Sequence, residues 1–166
     1  MRSARDRSVC DGRRDAQPVP DDEHAVDLGP LDDFIGYVLR RAWLRVSADF
    51  QAALREVDLK PTQFTVLLII GRNVGLSQSE VCSALGIQKT NFVPLLNELV
   101  RRGLAERRPA ASDRRSHALH LTPEGEALLE RAMTLHAALE ERLTARVGKR
   151  GREKLIELLH RLSRTD

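Results

Sequence analysis

The stretch from Ser77 to Leu121, SQSEVCSALGIQKTNFVPLLNELVRRGLAERRPAASDRRSHALHL, constrains the chain more than any other. Ser77 followed three residues later by Glu80 is a capping box. The serine oxygen accepts an orphan N–H of the first turn, and the glutamate reaches back to the N–H of the cap. Val81, Ala84 and Leu85 then give one apolar face, and Gly86 supplies the left-handed residue that ends a helix at little cost. A second helix starts near Lys89 or Thr90. Phe92, Leu95, Leu96, Leu99 and Val100 recur at helical spacing until Gly103 stops it. Two short helices joined by a glycine-containing turn make a helix-turn-helix, whose second helix can lie in the major groove of DNA.

The residues that follow extend this reading. Leu104–Arg108 is predicted as a strand, Pro109–Ser116 as a turn-rich tip carrying Asp113, Arg114 and Arg115, and the alternating HALHL of His117–Leu121 as the returning strand. Such a hairpin is a wing. Its tip arginines, held by Asp113, suit a narrow, electronegative minor groove. On the second helix, Gln88, Lys89, Thr90, Asn91 and Glu98 are expected to face outward. Gln and Asn pair with adenine, Lys with guanine, and Thr meets a thymine methyl. Ser77 and Gln78 at the start of the first helix, and Arg107 in the first strand, complete the candidate DNA-binding set. The competing role for Thr90 is the helix N-cap, with Asn91 in the first turn. The competing role for the whole unit is a winged-helix protein–protein adaptor without specific DNA binding, or a solvated basic loop on an unrelated small domain.

The rest of the chain frames this unit. Residues 1–29 mix Arg, Asp, Gln, Pro and Gly with few large apolar side chains, and are expected to form a disordered tail. Residues 30–166 are expected to form one domain, with the winged helix-turn-helix at about 59–122. A helix is predicted over Leu31–Val57, apolar over more than one stripe and so in contact with more than one surface. Pro61 opens a buried helix over Thr62–Arg72, preceded by Lys60, a poor cap for a positive helix end. Thr122 caps and Pro123 starts a long helix to about Val147. Gly148 and Gly151 bracket a break before a last helix over Glu153–Ser163. That leucine-rich helix has little left to bury within so small a domain, so pairing with a second chain is expected. The fold class is therefore mainly α with a small β-hairpin wing (α+β), and the dimerisation helices lie at about 31–57 and 123–163.

Composition removes several function classes. A net charge of +3 is modest, so it is the clustering of arginines that points to nucleic acid. No apolar run approaches the ~18 residues needed to span a bilayer, and the N-terminus is charged where a signal peptide would be apolar. A cytoplasmic protein with no membrane partner is expected. Cys10 and Cys82 are the two cysteines, too few for a disulfide framework. His117 and His120 fall on opposite faces of a strand and cannot share an ion. His136 and Glu140, one helical turn apart, could share one, but a solvated helix face is the favoured reading. No nucleophile–base motif or phosphate-binding glycine loop is present, so neither an enzyme nor a cofactor or metal is expected. Tyr37, Arg40, Arg41 and Trp43, with Phe64 as a further aromatic wall, suit a planar anion such as an aromatic carboxylate. The alternative is that both arginines sit in surface salt bridges with Asp32, Asp33 or Glu56.

Four segments together resemble the MarR family of winged-helix transcription regulators: LKPTQFTVLLII (59–70), LSQSEVCSALGI (76–87), LLNELVRRGLAER (95–107) and DRRSHALHLTPEG (113–125). The resemblance covers the chain from about Leu31 onward. It implies a homodimer, a winged-helix domain in each subunit, a roughly palindromic double-stranded operator, and repression relieved by a small ligand bound between the first helix and the winged domain. The segment LDDFIGYVLRRA (31–42) resembles regulators that respond to hydroxycinnamates or their CoA thioesters, which implies a small aromatic carboxylate or CoA thioester effector. Two positions depart from related branches. Gly36 stands where organic-peroxide sensors carry their reactive cysteine, so peroxide sensing is not expected. Pro94 stands where an arginine often reads bases, and it is expected in or near the first turn of its helix, because proline gives up a helical hydrogen bond.

Overall fold

In the computed structural model, residues 26–109 and 117–164 are described. One compact unit ends at Ala48 and the other starts at Asp49. In the first, a 3-10 turn over Gly29–Asp33 precedes helix α1, Ile35–Arg55, which runs on into the second unit. The helix predicted from Leu31 thus starts four residues later. Gly29 takes a left-handed φ of 54° and donates its N–H to Asp27 Oδ1 at 2.8 Å. Pro30 follows, and Phe34 is extended, so this local turn chemistry takes Leu31–Asp33 out of the α-helix.

The second unit continues with α2 (Pro61–Arg72), α3 (Gln78–Leu85), α4 (Lys89–Arg101), strands β1 (Ala105–Pro109) and β2 (His117–Leu121), and helices α5 (Pro123–Val147) and α6 (Lys149–Ser163). Its core is Leu54, Leu59, Phe64, Val66, Leu67, Ile70, Val81, Phe92, Leu96, Leu99, Leu104, Leu119 and Ala132, all buried. Each such aliphatic or aromatic side chain contributes about 1.5–3 kcal/mol when fully removed from water. Because α2 is apolar on several sides, it occupies the centre of this core, as its sequence predicts. Gln63 is the exception within it: a polar side chain only 1% exposed. Its Oε1 accepts the Lys60 N–H at 2.9 Å. Gln63 thus satisfies the N–H of the Lys60 cap, while the lysine side chain itself makes no capping hydrogen bond.

The break near the C-terminus is narrower than predicted. Gly148 alone separates α5 from α6, with φ 74° and ψ 157°, a region open essentially to glycine. Gly151 is inside α6, which starts at Lys149 rather than Glu153.

The hairpin is an antiparallel pair in which Ala105 faces Leu121 and Pro109 faces His117. A second edge is tied as well, since Leu119 donates its N–H to Leu76 O at 2.8 Å and Ser77 bridges to Ala118. The base of the hairpin is closed by the Leu-Thr-Pro-x-Gly sequence. Thr122 donates its N–H to Leu104 O at 3.2 Å, its hydroxyl donates to Gly103 O, and its Oγ1 accepts the Gly125 N–H at 3.0 Å. Gly125 is packed so tightly that a Cβ there would lie 1.9 Å from Leu104 O. A flexible side chain could yield, but a backbone carbonyl held in the turn cannot. Gly125→Ala is therefore expected to lower the unfolding free energy by about 3 kcal/mol or more. Urea unfolding measures this, and a loss near the few tenths typical of an exposed helical site would contradict the contact.

Candidate nucleic-acid interface

The helix-turn-helix is built as its sequence predicts. Ser77 Oγ accepts the Glu80 N–H at 3.3 Å, and Glu80 Oε2 accepts the Ser77 N–H at 2.7 Å. These bonds to the backbone and side chain of Ser77 hold the Glu80 carboxyl below its ordinary value of 4.5. At the other end of α3, Gly86 has φ 62° and donates to Cys82 and Ser83 carbonyls. Ile87 donates to Cys82 O at 3.1 Å, which completes the turn into α4. Cys82 is 8% exposed and is a core residue.

Gln88, not Thr90, is the N-cap of α4, and its side chain makes no capping hydrogen bond. Lys89, Thr90 and Asn91 therefore form the first turn, and all four residues are exposed. The buried face of α4 is Phe92, Leu96 and Leu99. The opposite face is an exposed stripe of Thr90, Asn91, Pro94, Asn97 and Arg101, spaced by three or four residues. Glu98, expected outward, is only half exposed because it sits at the edge of the buried face. Pro94 also departs from expectation: it lies in the second turn, inside α4. Its ring is exposed, and α4 continues past it to Arg101 although the Thr90 carbonyl loses its helical partner there.

Ser77 and Gln78 are half-buried at the start of α3. Arg107 reaches from β1 to α4, donating from Nη2 to Asn97 Oδ1 at 2.6 Å. Next to it, Arg108 donates from Nε to Glu106 Oε1 at 2.9 Å. Asp113, Arg114 and Arg115 lie outside the described residues, as does Cys10. Sequence reasoning missed Asn97 and Arg101, which continue the Thr90–Pro94 stripe by one turn each and could have been found by extending that spacing. It also missed Arg102, whose guanidinium lies 3.3 Å from Asp58 Oδ2 and 3.5 Å from Gln63 Oε1. Nothing in the local sequence brings those three together.

The candidate effector residues are divided between the two units. In the first, Arg41 lies 3.8 Å from Asp32 and 6.0 Å from the centre of the Tyr37 ring, so one of the anticipated salt bridges forms. Arg40 is exposed, and Trp43 is 64% exposed. In the second, Phe64 is buried, stacked on His136 at 5.6 Å and edge-on to Phe50 at 5.5 Å. His136 is thus part of an aromatic trio and not on a solvated face, because α5 turns it toward Phe50 and Phe64. Glu140 accepts instead from Arg152 Nη2 at 3.1 Å. Of the two strand histidines, His117 is exposed and His120 half-buried. Among the described residues, no group of three or more His, Cys, Asp or Glu is placed to hold a metal ion, and no helix is long and apolar enough to cross a membrane.

Residues 57–116 match the family described as the MarR family. A relative described as a putative transcriptional regulatory protein for the hcr operon of Thauera aromatica is 30% identical over 151 residues, 90% of this chain and 91% of that one. The chain belongs to the MarR family. It is a winged-helix transcription regulator, similar in structure to the transcriptional repressor CouR bound to a 23-mer DNA duplex. That likeness has a TM-score of 0.81 and 43% identity, over 85% of this chain and all of that one. CouR bound to p-coumaroyl-CoA is similar with a TM-score of 0.78 and 40% identity, over 86% of this chain and all of that one.

The capping box sets a pH dependence for this MarR-family chain. A carboxylate whose folded pKa is lowered stabilises the fold above its unfolded value and loses that contribution as pH falls through the folded one. The Glu80 contribution is therefore complete above pH 4.5 and lost below it. Glu80→Gln keeps an acceptor but has no charge to titrate, so the variant is expected to lose less stability than the parent on acidification below that pH. Parallel urea titrations at neutral and acidic pH compare the two slopes, and identical acid limbs would contradict the assignment.

Proposed function

We propose that this chain is a homodimeric repressor that reads a roughly palindromic DNA operator and releases it on binding a small aromatic carboxylate or its CoA thioester. The observation that carries the DNA-reading part is the exposed stripe of α4. It runs through Thr90, Asn91, Pro94, Asn97 and Arg101, follows exposed Gln88 and Lys89, and is flanked by Arg107, which Asn97 holds in place. Amide, ammonium and hydroxyl groups on one helical face match base edges in the major groove, and Ser77, Gln78 and Arg107 suit backbone phosphates. In this reading Asp113 holds the wing-tip arginines, and Arg114 or Arg115 enters the minor groove. The DNA-bound state of CouR supports it, and the adaptor alternative draws no comparable support.

The dimer rests on apolar surface left uncovered in each unit. No residue of α6 is buried, and Leu155, Leu158 and Leu162 are 48%, 42% and 59% exposed. In the first unit, Leu31 and Ile35 are 37% and 67% exposed. With Leu159 they form the subunit contact, and a two-fold dimer places half-sites about one helical turn apart. Tyr37, Arg40, Arg41, Trp43 and Phe64 are the effector residues of this proposal, with the arginines as anion partners. The p-coumaroyl-CoA-bound state of CouR supports that ligand class. The ligand must favour one dimer conformation over the other, or it shifts nothing.

Replacing both Arg114 and Arg115 with alanine is expected to remove about one or two counterions from the salt slope of DNA binding while leaving the dimer intact. Unchanged affinity and slope would remove the wing tip from the interface, and a parent without steep salt dependence would favour the adaptor. For the effector, a coupling of about 1–3 kcal/mol weakens operator binding roughly 5–150-fold. Arg40→Ala or Arg41→Ala is expected to keep DNA binding and lose the response to p-coumaroyl-CoA. If both variants respond as the parent does, the anion partner is not an arginine of α1.

A further inference from the structure

Pro94 occupies an energetically unfavourable position that the fold does not require. It is inside α4, one turn after Thr90, and it has no N–H to give to the Thr90 carbonyl. A proline in a helix interior is about 3 kcal/mol less favourable than alanine. Its ring is exposed, so it fills no place in the core, and α4 runs on without interruption to Arg101. On the stripe Thr90, Asn91, Pro94, Asn97 and Arg101 it is the one wholly apolar side chain, set at the centre of polar neighbours. Asn97, one turn further on, uses its Oδ1 to hold Arg107.

A pyrrolidine ring offers neither donor nor acceptor. In the major groove the one apolar feature of a base edge is the 5-methyl group of thymine. The ring also has no rotamer freedom to lose on contact, unlike a longer apolar side chain. Resting on the DNA-reading proposal above, we infer that Pro94 is a specificity-determining residue whose ring packs on the methyl group of one thymine in each half-site. The same ring forgoes guanine readout at that step, because it has no donor to aim at O6 or N7.

Substituting deoxyuridine for thymine tests this directly, since it removes the methyl and leaves every hydrogen-bonding group in place. The full-length protein first selects duplexes from a random-sequence pool. The selected duplex is then resynthesised with deoxyuridine at each thymine in turn. One position is expected to weaken binding about fourfold per half-site, the factor for one methyl group removed from water. Pro94→Ser, which restores the backbone N–H, is expected to bind thymine and uracil duplexes equally with the parent's salt dependence. A parent insensitive to uracil at every position overturns the inference without recourse to any variant. So does a Pro94→Ser variant that keeps the sensitivity at that position. A pool from which no duplex is enriched overturns the DNA-reading proposal itself, and the thymine contact with it.

Discussion

The winged unit depends on a single close approach, that of the Leu104 carbonyl to Gly125. A Cβ at Gly125 would lie 1.9 Å from that oxygen, so α5 can start here only with glycine. Thr122 joins the two sides, donating its N–H to Leu104 and its hydroxyl to Gly103 while accepting from Gly125. The turn that ends α4, the base of the hairpin and the first turn of α5 are thereby one hydrogen-bonded knot. The helix that presents the polar stripe and the strands that carry Arg107 cannot move independently at that end.

From this knot the two faces of α4 take separate tasks. Phe92, Leu96 and Leu99 bury one face in the core and fix the rotation of the helix about its axis. That rotation presents Thr90, Asn91, Pro94, Asn97 and Arg101 to solvent. The Asn97–Arg107 hydrogen bond at 2.6 Å then ties the exposed face to the wing strand. At the start of the same unit, the Ser77–Glu80 box and the bridge from Ser77 to Ala118 tie α3 to the other side of the hairpin. A surface of polar side chains is thus oriented mainly by apolar packing behind it. Directional bonds act at its edges.

In chemical terms the surface is divided between charge and shape. Lys89, Arg101 and Arg107 supply positive charge, Gln88 and Asn91 supply paired donors and acceptors, and Pro94 supplies neither. Pro94 sets a rigid apolar ring at the centre of this face, so its positive charge comes from neighbouring residues. The apolar residues of α6 stand apart from this, since none of them is buried within its own unit. A helix that keeps leucines out of the core while other helices bury theirs is consistent with a surface reserved for a second subunit.

What the amino-acid sequence determined by itself was the set of elements whose signals are local. The Ser77 cap, the Gly86 and Gly103 stops, the Thr122-Pro123 start and the HALHL strand each depend on residues within a few positions of one another, and each formed; the burial of HALHL does not alternate, since Ala118 and Leu119 are both buried. Local chemistry was also sufficient, though overlooked, for the 3-10 turn at Gly29–Pro30, and extending the stripe by one turn would have reached Asn97. Tertiary structure alone decided the remainder. That His136 stacks on Phe64 instead of facing water, that Gln63 is buried, and that Arg102 meets Asp58 all depend on segments far apart in the chain. So does the need for glycine at 125, where the motif marks the residue but not the carbonyl that excludes every other side chain. Periodicity states which face of a helix is apolar, but it does not state which partner that face will meet, because burial and pairing are properties of the assembled core.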